Sequence, residues 1–178
     1  SGSTNTDGTI TSTTYVNTTS GNSWITWTSH NTTGTIGHGL GSTPKAVMIW
    51  PNHTSNEVLI NVDYMQPYAG SPNFLYFSTS NYQGYGTAQY PSNHTSSVFY
   101  VNSGYSNRNN LGSPGRAWAM VDVPGYSKFY KYGGTCGGVA RTVNVGFQPA
   151  CVIIKSFSYN YPWMIATYSG ESGITFTS

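Results

Sequence analysis

Groups able to carry out chemistry are few and scattered along this chain. Four histidines, His30, His38, His53 and His94, lie in separate polar stretches. None has a second ligand at the spacing that a zinc site requires. His38, inside Gly37-His-Gly-Leu-Gly41, reads as a turn histidine bonded to backbone. The five carboxylates, Asp7, Glu57, Asp63, Asp122 and Glu171, are too dispersed for the paired acids of glycoside hydrolysis or for a calcium cage. Asp63 and Asp122 end strand-like segments, where Lys or Arg partners suit them. Cys136 lies in Gly134-Thr-Cys-Gly-Gly138, which holds no histidine to activate a thiol. No Cys-x-x-Cys is present. A Cys136–Cys151 disulfide and two free thiols both remain open. The expectation is a protein with no catalytic residue, no metal and no cofactor.

Sugar recognition suits the residue types better. Pyranose rings stack on Tyr and Trp, while Asn, Gln and Arg bond hydroxyls. Two segments combine these groups, Asn81 to Tyr90 and Tyr105 to Asn110. They make Tyr82, Tyr85, Tyr90, Tyr105, Asn107 and Arg108 the candidate glycan contacts. Four Asn-x-Ser/Thr sequons, at Asn17, Asn31, Asn52 and Asn93, are of the number a Thr-rich chain produces by chance.

The elements that would carry such groups are strands. Of 178 residues only 7% are charged, while Ser, Thr, Asn and Gly make up 83. Aromatic residues reach 15%, enough for a packed core. Helical periodicity is absent. About eleven short runs, among them 9–16, 23–28, 45–50, 57–64, 116–123, 127–132, 141–145, 151–155 and 163–167, are rich in β-branched and aromatic residues. Gly, Pro, Asn and Ser clusters bound them. This pattern predicts an all-β, antiparallel β-sandwich in a single domain spanning 1–178, with 1–20 as a strand or arm. In 116–123 the small residues Ala117, Ala119, Val121 and Val123 alternate with Arg116, Trp118, Met120 and Asp122, so one face is small and apolar. Cys151 to Ile154 is apolar on both faces and reads as a central strand.

An internal repeat underlies the pattern. Pro44-Lys-Ala-Val-Met-Ile-Trp50 aligns with Pro149-Ala-Cys-Val-Ile-Ile-Lys155 at an offset of 105, and Val58-Leu-Ile60 with Trp163-Met-Ile165. Upstream, Gly21-Asn-Ser23 aligns with Gly125-Tyr-Ser127 at 104, and Trp27 with Tyr132 at 105. The copies span 21–60 and 125–165, a meander used twice.

Several ordered motifs carry a family resemblance. They are Gly8-Thr-Ile-Thr-Ser-Thr13, Thr35-Ile-Gly-His-Gly-Leu-Gly-Ser-Thr-Pro-Lys45, Val121-Asp-Val-Pro-Gly-Tyr-Ser-Lys-Phe129 and Val145-Gly-Phe-Gln-Pro149. Together they make the chain resemble bacteriophage tail-fibre or other virion-appended structural proteins. The resemblance runs from about Gly8 to Thr167 and weakens over Pro67 to Ser113. It implies a lectin-like (concanavalin, laminin-G or jelly-roll type) sandwich and brings no catalytic residues. Cys136, Cys151 and Trp50 depart from the family's usual Asn, aromatic residue and Lys.

The functional expectation is a non-enzymatic virion surface module, in a tail fibre, head-attached fibre or decoration, serving host attachment or assembly. Its partners would be other virion proteins, copies of itself (a trimer above all) and host surface glycans. A net charge of +2 without a basic stripe argues against nucleic acid. No apolar run approaches the roughly 20 residues of a membrane span, and the polar start shows no secretion signal. The virion surface or another extracellular setting is therefore expected. The alternatives are a subunit of an extracellular filament or surface layer built by strand exchange, and a polysaccharide depolymerase.

Overall fold

The computed structural model describes residues 1–28, 32–50, 59–62, 73–76, 84–85, 94–101, 114–134 and 141–167. These form twelve strands and, among the described residues, no helix. In chain order they are β1 (Ser3–Asn5), β2 (Ser12–Asn17), β3 (Asn22–Thr28), β4 (Gly34–Gly37), β5 (Ala46–Trp50), β6 (Leu59–Val62), β7 (Asn73–Tyr76), β8 (Gly84–Tyr85), β9 (Val98–Val101), β10 (Pro114–Met120), β11 (Cys151–Ile154) and β12 (Met164–Thr167). Eight strands make one antiparallel sheet in the order β1-β2-β3-β10-β5-β6-β7-β8. β4 pairs with β9, and β11 with β12. The all-β antiparallel class read from the sequence is the one the chain adopts.

The core follows from strand alternation. Ala117 opposes Ile25 on one side and Ile49 on the other, and Ala119 opposes Ser23 and Val47. These side chains share one face of the large sheet. The β4–β9 ribbon lies over that face, so Ile36, Phe99 and Val101 join Ile25, Trp27, Val47, Ile49, Ala117 and Ala119 in one buried cluster. Two alanines in the central strand leave room for rings. Trp27 and Phe99 fill it edge to face, with centroids 5.9 Å apart. Gly115 belongs to the same fit. It opposes Trp27 in the ladder, and a Cβ there would collide with the indole. Each fully buried Ile or Phe contributes roughly 1.5–3 kcal/mol.

The loop before β2 is stitched to β4. Thr9 and Thr35 exchange backbone N–H donors and side-chain Oγ1 acceptors, both at 2.9 Å. The Ile10 N–H donates to the Thr35 carbonyl at 3.0 Å. Ser12 Oγ donates to the Gly37 carbonyl at 2.9 Å, satisfying a buried hydroxyl.

A second, smaller cluster occupies the opposite face. Ala46, Met48 and Leu75 are buried there, with Trp50, Met120, Phe129, Phe157 and Trp163 packed around them. The later part of the chain thus covers the β5–β7 region of that face.

Two expected strands are absent. Residues 127–132 follow a Pro124-Gly125 turn, with Gly125 at φ 75°, and run as irregular chain. Both edges of β10 are already taken by β3 and β5, so the segment cannot fold back beside the strand it follows. An isolated antiparallel bridge between Val123 and Ser127, with N–H to carbonyl bonds of 3.0 and 2.9 Å, holds its start, and side chains add to it. Asp122 accepts the Phe129 N–H at 2.8 Å and pairs with Lys128 at 2.9 Å, and Ser127 Oγ donates to the Val121 carbonyl. Residues 141–145 also form no strand. There the Asn144 side chain turns the backbone by accepting the Gly146 N–H at 2.8 Å. Cys151 to Ile154, expected as a central strand, lies in the two-stranded β11–β12 ribbon with Cys151 and Ile153 exposed.

The downstream half of the repeat is visible in the pairing. Ala46↔Val62, Val47↔Asn61, Met48↔Ile60 and Ile49↔Leu59 become, shifted by 105, Cys151↔Thr167, Val152↔Ala166, Ile153↔Ile165 and Ile154↔Met164. The two hairpins have the same register.

Candidate functional site: an aromatic row across the large sheet

Alternation that buries Ile25 and Ala117 must turn Trp24 and Trp118 outward on the other face. The register then lines them up. Tyr15 of β2 opposes Trp24 of β3, Trp24 opposes Trp118 of β10, and Trp118 opposes Met48 of β5. Neighbouring strands lie about 4.8 Å apart, so the three residues form a row perpendicular to the strands. Tyr15 is 49% exposed, Trp24 38% and Trp118 37%, large values for residues at the centre of a sheet. Trp50, on β5 in the adjoining row, is half-buried, its ring centroid 5.2 Å from that of Trp24 and tilted by 51°.

The polar surroundings come from the adjoining rows. Thr13, Thr26, the exposed Arg116 and Trp50 make one; Asn17, Asn22 and Met120 make the other. Asn22 fixes part of the site. Its Oδ1 accepts the Trp118 indole N–H at 3.4 Å, while its Nδ2 donates to the Ser20 carbonyl at 3.0 Å and Ser20 Oγ at 2.9 Å. The Trp118 ring is thereby held before any ligand arrives, which lowers the ordering cost of binding. An indole face bordered by a guanidinium, amides and hydroxyls can stack the C–H face of a sugar and bond its hydroxyls.

Of the glycan candidates read from the sequence, Tyr85 sits on β8, paired with Asn73 near one edge of the large sheet. Tyr82, Tyr90, Tyr105, Asn107 and Arg108 lie outside the described residues. Cys151 is an exposed free thiol; Cys136 lies outside the described residues. Among the described residues, no group of three or more His, Cys, Asp or Glu side chains could hold a metal ion. No described helix is long and apolar enough to cross a membrane. Asp7 is engaged locally, accepting from Asn5 Nδ2 at 3.1 Å, and Asp122 is taken up by Lys128 and Phe129.

His38 is a structural residue. It is wholly buried, its Nδ1 accepts the Leu40 N–H at 3.1 Å, and its Nε2–H donates to the Thr95 carbonyl at 3.2 Å. Both bonds require the neutral ring with the proton on Nε2. Burial pushes its pKa below the ordinary histidine value, against smaller opposing effects of the Thr95 carbonyl and the Asp7 charge. Gly39 and Gly41, both at φ 71°, supply the left-handed backbone that lets the loop close around the ring.

The row Tyr15–Trp24–Trp118 was not among the sequence candidates, although a signal for it exists. Ser23-Trp-Ile-Thr-Trp-Thr28 and Arg116-Ala-Trp-Ala119 each place an indole opposite a small or apolar inward residue. What alternation does not reveal is that β10, from far along the chain, inserts beside β3 and aligns the two indoles.

Fold and site define an antiparallel β-protein with a flat aromatic patch on its main sheet. The chain belongs to the family of the domain of unknown function DUF7483, which matches residues 1–173. No curated protein and no solved structure matches it.

Proposed function

We propose that this domain is a non-enzymatic surface module of a virion appendage, a tail fibre, head-attached fibre or decoration, that attaches to its host by binding surface glycans. The glycan part rests on one observation, the solvent-facing row of Tyr15, Trp24 and Trp118 bordered by Arg116 and Asn22. The virion part rests on the ordered motifs that resemble phage structural proteins. A position at the virion surface follows from both. The motif residues have structural duties: His38, Gly39 and Gly41 lock a loop, and Asp122 to Phe129 form a clasp. That suits a scaffold whose function lies on its open face.

Affinity electrophoresis through bacterial capsular and O-antigen polysaccharides tests the reading. Wild-type chain should be retarded by at least one of them, and Trp24→Ala with Trp118→Ala should lose about fivefold or more in affinity, given about 0.5–1.5 kcal/mol per aromatic contact. Unretarded wild type, or unchanged retardation in the double variant, refutes glycan binding by this face. Release of reducing ends from the bound polysaccharide would replace the adhesion reading with the depolymerase one.

A further inference from the structure

We infer that the β11–β12 ribbon is a self-association edge, at which β11 of one chain pairs antiparallel with β11 of a second copy. This goes beyond the glycan reading and uses a different surface.

The internal repeat carries the argument. β5–β6 and β11–β12 are two copies of one hairpin with the same register. In the first copy the outer edge of β5 is filled by β10 through five register pairs, Arg116↔Trp50 to Met120↔Ala46. There Ala46 to Ile49 are all buried, by the core clusters on the two faces of the sheet. In the second copy, β12 is the one partner of β11 among the described residues. There Ile153 is 52% exposed and Ile165, directly opposite, 57%. The same apolar hairpin is thus built twice, once inside a sheet and once as a ribbon. A two-stranded hairpin is marginal by itself, and an exposed apolar edge strand is a template for another strand.

The occupant that fits is a second copy. A twofold axis brings identical edges together antiparallel and closes the assembly. Paired strands keep side chains on matched faces, so the registers allowed centre either Ile153 on its own mate or Val152 on its own mate. In the first, Lys155 faces the second copy's Cys151; in the second, it faces the second copy's Pro149. In neither does Lys155 meet Lys155, so no like charges oppose each other across the axis. A chain with a net charge of +2 adds little long-range repulsion.

Sedimentation velocity of the full chain over a concentration series tests this. Wild type should pass from monomer to dimer, and Ile153→Lys should stay monomeric with unchanged tryptophan fluorescence, whereas Ile165→Lys, one strand away from the seam, should dimerise like wild type. Trp24→Ala should dimerise like wild type. In a Cys136→Ser background, a bis-maleimide about 15 Å long, which spans the two- or four-residue stagger of the two registers, should link Cys151 to Cys151 and give a covalent dimer. That measurement needs no variant in the ribbon and serves if the lysine variants fail to fold. A chain that is monomeric throughout, an assembly that survives Ile153→Lys, or no Cys151 cross-link overturns the inference.

Discussion

Acidification should destabilise this fold through His38. The ring is buried, and its two bonds use the neutral form in one tautomer. Its folded pKa lies below the unfolded value because burial disfavours the charged ring. The unfolded chain therefore binds the extra proton first, and stability is complete above the unfolded pKa of about 6.5 and falls as pH drops toward the folded pKa. The slope cannot exceed about 1.4 kcal/mol per pH unit for one group. Between pH 7.5 and 5.0 the loss is then at most about 2 kcal/mol, a sizeable part of a typical 5–15 kcal/mol. Carboxylates titrate mostly below this window. Urea unfolding followed by tryptophan fluorescence at half-unit pH steps gives the curve. His38→Asn keeps an acceptor near the Leu40 N–H and cannot titrate. It should be less stable at pH 7.5 by about 1–3 kcal/mol and should lose less stability than wild type between pH 6.5 and 5. His30, His53 and His94 remain in that variant, so their contributions cancel in the comparison. A flat wild-type curve, or the same slope in His38→Asn, refutes the reasoning.

Other substitutions probe the core, the clasp and the open face. Gly115→Val forces a side chain into the Trp27 indole, and unfolding measurements should show a loss of about 2–3 kcal/mol with altered near-ultraviolet dichroism from the Trp27–Phe99 pair. Asp122→Ala removes the acceptor of the Phe129 N–H and the Lys128 partner; it should lose about 1–2 kcal/mol in chemical denaturation, while Lys128→Ala, a partly exposed ion-pair member, should lose under about 1. Trp118→Ala takes away an outward ring, so its midpoint in urea should move less than that of Phe99→Ala, which empties a fully buried site and should lose about 3–5 kcal/mol.

The sequence by itself determined the class of structure and much of its local detail. β-branched and aromatic runs between Gly, Pro and Asn clusters leave no helix competitive, and alternation in 116–123 already separates Ala117 and Ala119 from Arg116 and Trp118. Gly39, Gly41 and Gly125 mark turns because their conformations are ones other residues resist. The constant 105-residue offset of the repeated segments is matched by the equal registers of the β5–β6 and β11–β12 hairpins. What lay beyond reach is non-local. Strand-forming tendency at 127–132 or 151–154 says nothing about whether a sheet edge is vacant, and β10 fills the space between β3 and β5 from nearly a hundred residues away. That insertion keeps 127–132 from folding back beside β10 and seats β5 inside the sheet, whereas β11 stays in a ribbon among the described residues. It also sets Trp24 beside Trp118, turning two separately unremarkable tryptophans into a surface. Alternation is a property of single strands and can be read along a chain; adjacency of distant strands depends on which edges are filled, and only the tertiary structure decides that.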